Sequence, residues 1–141
     1  MTTPVLNLGE FTVCFSAEPE YESASEHFIN FCGWTEKEFR PIEDFPFFCA
    51  RVSIWFDGEE IASDYLGACS YKTESEFYTR YRSDYFADMV GRCVDEANNP
   101  ALTDAYAPWA ELMQKEHARK SEIAQRAWEK RESKKAARAA A

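Results

Sequence analysis

Carboxylates recur in this sequence at spacings that would put them on one side of an element. Asp84, Asp88 and Asp95 stand at i, i+4 and i+11, which on a helix gives one acidic face. Helical neighbours four residues apart are separated by about 6 Å, similar to successive phosphates on a nucleic-acid strand. A basic groove that handles nucleic acid would attract such a face. The spacing predicts a partner-binding surface; the alternative is that these acids only solvate the protein.

A second acidic group follows the first predicted strand. Glu18, Glu20 and Glu22 alternate around Pro19, so their side chains share one side of an extended segment. Tyr21 lies among these glutamates, and Tyr85 follows Asp84. Tyrosine is a favoured anchor at protein interfaces. The sequence therefore predicts two candidate contact surfaces, whose members are Glu18, Glu20, Tyr21, Glu22, Asp84, Tyr85, Asp88 and Asp95.

Charge divides the chain into two parts. Residues 1–104 carry 20 acidic and 7 basic side chains, a net charge of −13, and residues 105–141 carry 5 acidic and 9 basic ones, a net charge of +4. We interpret the first part as an acidic domain and the second as a basic C-terminal helix. A net charge of −13 repels phosphate, which disfavours direct nucleic-acid binding by the domain. The basic residues of the tail are interleaved with acids, as on a solvated helix.

Motifs of enzymes and metal sites are missing from the sequence. It contains no glycine-rich phosphate loop, no H-E-x-x-H and no G-x-S-x-G. His27 or His117 could act as a base toward a cysteine, but no local motif supports either. The sequence predicts neither catalysis nor a cofactor or metal ion, although a small-molecule enzyme with a cleft of perturbed titratable groups stays a third possibility.

The five cysteines are scattered through apolar stretches, with no C-x-x-C pair. We expect buried, reduced thiols, which are typical of a cytoplasmic protein. The N-terminus has neither a basic region nor an apolar one that would indicate a signal peptide. No apolar run approaches the length of a membrane span, so no membrane association is expected.

The pattern of elements predicts an α+β fold with the order β-α-β-β-α-α, a small antiparallel sheet covered on one face by helices. The first strand alternates apolar and polar residues from Glu10 to Ser16. Ser23 and Thr73 each begin a capping-box pattern that predicts a helix. The first helix would bury Ala24, Phe28, Phe31 and Cys32; a shorter one starts at Thr35.

A hairpin spans residues 47–69. Asp57-Gly58 suits a two-residue type I′ turn, in which both central residues have positive φ. This turn predicts that opposite residues have numbers summing to 115. The predicted pairs are Ile54 with Ile61, Ala50 with Tyr65, Arg51 with Asp64, and Trp55 with Glu60.

The last helix is predicted to begin near Pro108, a favoured first helical residue. Trp109, Leu112 and Met113 would dock on the domain, and the rest of the helix would project. Pairs four residues apart would support it: Glu111–Lys115, Glu116–Lys120 and Glu122–Arg126. Ile123, Ala127 and Trp128 form an apolar stripe that predicts helix pairing with a partner or with a second copy, as in a homodimer.

Residues 65–71 (YLGACSY), Glu76-Phe77 and residues 84–90 (DYFADMV) resemble a pattern in small accessory proteins of phages and other mobile elements. This resemblance covers about one fifth of the chain. It implies a protein of the bacterial host cytoplasm, of the kind that inhibits host defence, such as an anti-CRISPR or anti-restriction protein. Together with the acidic surfaces it favours a non-enzymatic inhibitor or adaptor of a basic nucleic-acid-binding protein; the alternative is an assembly module that acts through the C-terminal helix.

Overall fold

Four antiparallel strands form one sheet in the order β1-β2-β3-β4 in the computed structural model, which describes residues 1–140. The strands are β1 (Thr3–Leu8), β2 (Phe11–Glu18), β3 (Phe47–Phe56) and β4 (Glu59–Ser70). Each tight turn uses positive φ: Gly9 has φ +60° between β1 and β2, and Asp57 and Gly58 have φ +49° and +79° between β3 and β4. The predicted α+β class, the antiparallel sheet and the Asp57-Gly58 turn are confirmed.

The edge strand β1 is absent from the sequence prediction, so the observed order starts with two strands. It contains Pro4, which cannot donate to a ladder and is tolerated at a sheet edge. Only Leu8 of this strand is buried. Because it has no buried alternating face, β1 lacks the periodicity that indicates a strand in a sequence.

The predicted hairpin register is correct at the turn and wrong farther from it. Trp55 pairs with Glu60 as predicted, but the register shifts between Ile54 and Trp55, so Ile54 pairs with Ala62. The shift leaves Ile61 as the extra residue of a bulge. Beyond it, the predicted pairs Ile54–Ile61, Ala50–Tyr65 and Arg51–Asp64 are replaced by Ile54–Ala62, Ala50–Leu66 and Arg51–Tyr65.

The segment after Ser23 is a short helix whose part Glu26–Phe31 has π-helical hydrogen bonding. The backbone N–H of Glu26 donates to Ser23 Oγ at 3.2 Å, which is half of the predicted capping box. None of the residues predicted to be buried there (Ala24, Phe28, Phe31 and Cys32) is buried. The prediction is wrong because this helix does not cover the sheet; Phe28 packs against Trp34 and Phe47 beside it. The next helix, α1 (Glu36–Phe39), has the full capping box predicted at Thr35.

The region after Thr73 is not one continuous helix. A 3-10 turn (Glu74–Phe77) buries Phe77, and a second π-helical segment (Arg82–Phe86) contains Asp84 with non-helical φ and ψ of −98° and −125°. The predicted capping box is incorrect, since Thr73 Oγ1 lies 3.2 Å from Ser75 Oγ. Helix α2 (Ala87–Ala97) follows and ends at Asn98, which has left-handed backbone geometry.

Helix α3 spans Pro100–Ala140, so its predicted start at Pro108 is wrong. Asn99 Oδ1 accepts hydrogen bonds from the N–H groups of Ala101 and Leu102, at 3.0 and 3.3 Å, and Pro100 takes the first helical position. Pro108 lies inside the helix. The boundary expected between residues 104 and 105 therefore falls within α3.

The core lies between the sheet and helices α2 and α3. Its fully buried members include Val13, Ile54, Phe77, Met89 and Leu102. Trp109 and Met113 dock as predicted, whereas Leu112 is 53% exposed and does not. Leu112 precedes Met113 by one residue, about 100° around the helix, and so points away from the core.

The cysteines are all free thiols with different surroundings. Cys14, Cys69 and Cys93 are buried, Cys49 is half-buried and Cys32 is exposed. Burial raises the pKa of Cys69 to about 11 and that of Cys93 to about 12. The expectation of buried thiols is confirmed for three positions and wrong for Cys32, which ends the helix that lies off the sheet.

Candidate functional site

The carboxylates at the end of β2 and just after it accept hydrogen bonds within the chain. Glu18 Oε1 accepts from the Ser16 hydroxyl at 2.7 Å, and Glu20 Oε1 accepts from the backbone N–H of Ala68 at 2.6 Å. Glu22 Oε1 lies 2.8 Å from His27 Nδ1. Their hydrogen bonds lead in three directions, so the three glutamates hold local structure and do not present one row of free charges.

Tyr21, between Glu20 and Glu22, is fully exposed. It borders a shallow surface pocket with Glu18, Glu20, Arg51 and Tyr65. Arg51 contributes positive charge there, paired with Glu60 and hydrogen-bonded to the Tyr65 hydroxyl. Tyr21 is therefore free to contact a partner, but its surroundings are of mixed charge.

The three aspartates predicted to share a face line one groove between α2 and α3, with a volume of about 510 Å³. Asp84 comes from the kinked segment before α2, and Asp88 and Asp95 come from α2 itself. The opposite wall is formed by α3, including Tyr106 and His117. The structure thus brings together Asp84, Asp88 and Asp95, although Asp84 is not in a regular helix.

The centre of the groove is negatively charged, and at one end the charge of Asp84 is partly offset by His117. At that end His117 Nδ1 lies 3.1 Å from Asp84 Oδ1. Asp88 and Asp95 are exposed and form no ion pair within residues 1–140. Burial, and then the charges of Asp95 and Asp88, raise the pKa of the Tyr106 hydroxyl. A cationic side chain placed here would meet two carboxylates and a hydroxyl oxygen.

Arg92 is the positive residue on this wall, and it is already paired. Its Nε donates to Asp64 Oδ2 of β4 at 2.7 Å. This hydrogen bond is the largest cause of the raised pKa of Arg92. Because its charge is shared with Asp64, Arg92 only partly offsets Asp88 and Asp95.

Tyr85 does not join the aspartates. Its side chain, 57% exposed, borders a separate, mainly apolar pocket that also includes Phe28, Trp34, Leu66 and Tyr71. Successive residues of a helix diverge by about 100°, and Asp84 departs from helical geometry as well. Tyr85 and the groove therefore lie on different surfaces.

Helix α3 is attached to the kinked segment near its middle. Arg82 binds Glu116 through two hydrogen bonds, and Lys120 Nζ donates to the backbone carbonyl of Arg80 at 2.7 Å. The predicted pair Glu116–Lys120 is therefore replaced by contacts with the domain. The predicted pairs Glu111–Lys115 and Glu122–Arg126 are confirmed.

Beyond Lys120 the helix projects into solvent. Ile123 is 56% exposed, Trp128 is 50% exposed, and Ala127 is exposed too. Ile123 lies eighteen residues after Ala105, and Ala127 lies eighteen residues after Trp109. Eighteen residues make about five helical turns, so Ile123 and Ala127 are on the side of α3 that contacts the core through Ala105 and Trp109. The apolar stripe thus extends the docking face of α3 past the end of the domain.

Sequence reasoning missed Tyr106, His117 and Gly91 as parts of the groove. A Cβ atom built on Gly91 would lie 2.9 Å from the Tyr106 hydroxyl oxygen, so this glycine lets the ring pack closely over α2. Gly91 belongs to α2 and Tyr106 to α3. Their separation in the sequence therefore does not follow the repeat of one helix and gives no sign that they are in contact. Among residues 1–140 no three His, Cys, Asp or Glu side chains are arranged to hold a metal ion.

Comparison with protein-family models, curated proteins and solved structures found no match. No helix within the described range is both long and apolar enough to cross a membrane.

Proposed function

We propose that this protein is a non-enzymatic inhibitor or adaptor that binds a basic surface of a nucleic-acid-handling protein. The observation that carries the proposal is the groove between α2 and α3, where Asp88 and Asp95 are unpaired among residues 1–140 and face Tyr106. Its volume is in the usual range of binding pockets, about 300–1,000 Å³. The preferred partner group is a lysine or arginine side chain.

The charge of the whole domain supports the same partner. Residues 1–104 carry a net charge of −13, which attracts a basic surface over several ångströms and raises the rate of encounter. The groove then supplies short-range contacts. Because the Asp88 and Asp95 carboxylates are exposed, binding should weaken steeply with added salt.

The resemblance to accessory proteins of phages and mobile elements supports a partner in bacterial defence, of the anti-CRISPR or anti-restriction type. In that role the acidic domain would occupy the place of nucleic acid on its target. The proposed site of action is the bacterial host cytoplasm.

The test uses a fluorescent DNA duplex bound to a lysine- and arginine-rich peptide. The protein should displace the DNA, and the double variant Asp88→Asn/Asp95→Asn should need about tenfold more protein to do so. The matched control is Glu43→Gln/Asp44→Asn, which removes the same charge from two exposed residues after α1. Equal loss in both variants would reject the groove as the contact, and no displacement by the unmodified protein would reject the function.

A second candidate function is supported by the projecting half of α3. Exposed Ile123 and Ala127 continue the docking face, with exposed Trp128 next to them, and a second copy could cover all three in a homodimer. Light scattering measures the mass of the unmodified protein and of the variant Ile123→Ala/Trp128→Ala. A dimer that dissociates in this variant supports an assembly module, and a monomer at all concentrations rejects the homodimer.

A further inference from the structure

Three side chains of the segment between β2 and α1 form a chain of polar contacts. The exposed Cys32 has its Sγ atom 3.6 Å from His27 Nε2. The other ring nitrogen, His27 Nδ1, lies 2.8 Å from Glu22 Oε1. A thiol, an imidazole and a carboxylate in this order are the components of an activated cysteine nucleophile.

The π-helical geometry brings the thiol to the imidazole. Five residues on a regular α-helix are about 140° apart, which would put residues 27 and 32 on different faces. Here the N–H of Cys32 donates to the carbonyl of His27 at 2.9 Å, a hydrogen bond across five residues. The widened turn stacks residue 32 above residue 27, and Gly33 with φ +78° then leads the chain away. Such π-helical turns occur frequently at functional sites.

The carboxylate fixes which nitrogen of His27 carries the proton. A carboxylate only accepts hydrogen bonds, so Nδ1 must be the donor to Glu22. In the neutral ring Nε2 then has a free lone pair, and it faces Cys32. The imidazole is therefore oriented to accept the proton of the Cys32 thiol.

Aromatic rings hold the imidazole in place and leave the thiol accessible. His27 stacks on Phe31, with ring centroids 5.8 Å apart, and contacts the rings of Phe28 and Phe47. Its side chain is only 19% exposed. Cys32 and Phe31 face solvent. Because Cys32 is an exposed residue, we expect a small molecule in solution to reach its thiol.

We propose that Cys32 is a modification site that undergoes thiol–disulfide exchange with small disulfides, with His27 as the base and Glu22 as a positioning residue. The thiol proton passes to His27 Nε2, and Cys32 Sγ attacks one sulfur of the disulfide. A new S–S bond forms, the old one breaks, and the departing sulfur takes the proton from His27. Cys32 is oxidised to a mixed disulfide and half of the reagent is reduced to its thiol.

The product is expected to stay a mixed disulfide. The other four cysteines of the chain are buried or half-buried, and all are free thiols. With excess small thiol the reverse exchange restores Cys32. The acidic domain favours a cationic disulfide, such as cystamine, over an anionic one, such as glutathione disulfide. The reaction needs no protein partner, so it is independent of the proposed function.

The experiment measures the rate at which the full-length protein gains one cystamine half, by intact mass, at neutral pH. The expected rate is about tenfold or more higher than that of His27→Gln, and Cys32→Ser should gain no adduct at the early time points. The matched control is Lys130→Gln, which replaces an exposed side chain on the projecting part of α3 and should leave the rate unchanged. A rate in His27→Gln equal to that of the unmodified protein would overturn the proposal.

Two further measurements separate proton transfer from a structural role. Added imidazole should restore part of the rate in His27→Ala, because it can replace the missing base. Glu22→Ala should slow the reaction, and Glu22→Asp should recover most of it because the carboxylate still orients the ring. Failure of both rescues would mean that these residues only shape the segment, and the assigned roles would be wrong.

Discussion

The guanidinium of Arg82 and the carboxylate of Glu116 meet through two hydrogen bonds, Nε to Oε2 and Nη2 to Oε1, each 3.1 Å long. They join the kinked segment before α2 to the middle of α3. This contact fixes the far end of the acidic groove, since His117 and Asp84, which meet there, are adjacent or close in sequence to the pair. The shape of the groove therefore depends on an ion pair that is not part of its lining.

Replacement of Glu116 by glutamine should lower the free energy of unfolding by about 0.5–1 kcal/mol at neutral pH, a modest value because Arg82 is 46% exposed. The hydrogen bonds from Arg82 lower the pKa of Glu116 from 4.5. A lowered pKa stabilises the fold above pH 4.5, and this contribution is lost as the pH falls through the lowered value. Urea unfolding at several pH values should show the two proteins converging in acid. A difference in unfolding free energy that stays the same at every pH would show that the Glu116 carboxylate is not stabilised by Arg82.

Docking of α3 should depend on Leu102 and not on Leu112. Leu102 is fully buried, whereas Leu112 is 53% exposed on the same helix. Leu102→Ala should cost about 2–5 kcal/mol through lost burial and a residual cavity. Leu112→Ala is the matched control and should change stability by less than about 0.5 kcal/mol. Urea unfolding measures the stability of both variants. Similar losses of unfolding free energy would contradict the docking of α3 through the side that carries Leu102.

The α+β class was predictable because it rests on short-range patterns. The alternation in β2, the Asp57-Gly58 turn and the capping box at Thr35 each specify local backbone geometry. The hairpin register failed beyond Ile54 because a bulge adds one residue, Ile61, to β4, and the turn-based register cannot anticipate it. The edge strand β1 was missed because it buries only Leu8.

The candidate site was predictable only in part, for a similar reason. The spacing of Asp84, Asp88 and Asp95 indicated a common surface. Their neighbours Tyr106 and His117 come from another helix, whose position is set by core contacts far along the chain. The Glu22–His27–Cys32 contacts are local in sequence but need a π-helical turn, whereas a regular helix separates residues 27 and 32.

Gly91 and Tyr106 should be energetically coupled. Alanine is favoured over glycine inside a helix by about 1 kcal/mol, but the Cβ atom at position 91 would lie 2.9 Å from the Tyr106 hydroxyl. Gly91→Ala should therefore stabilise the protein more when combined with Tyr106→Phe, which removes that oxygen. A double-mutant cycle of unfolding free energies measures the coupling. An identical effect of Gly91→Ala in both backgrounds would show that the ring shifts freely.

Strand β4 has a second bulge at Ala68, between the pairs Phe48–Cys69 and Ala50–Leu66. A glycine substitution at Ala68 should increase stability. Ala68 has φ +56°, a left-handed conformation that costs an L-residue about 1–2 kcal/mol and costs glycine little. Ala68→Gly should raise the free energy of unfolding by about 0.5–1 kcal/mol. The control is Ala62→Gly in the same strand, where φ is negative and the side chain is buried, so stability should fall.

Glu20 should stabilise the same bulge through its acceptor oxygen. Its Oε1 atom accepts a hydrogen bond from the N–H of Ala68 at 2.6 Å, and Ala68 has no pairing partner in the register of β3 and β4. Glu20→Ala should cost about 1–2 kcal/mol, in line with a partly buried donor left unsatisfied. Hydrogen exchange of the Ala68 amide gives an independent measure, because loss of its acceptor should speed exchange. Unchanged exchange in Glu20→Ala would show that the glutamate does not hold the bulge, and would leave its carboxylate free for a partner.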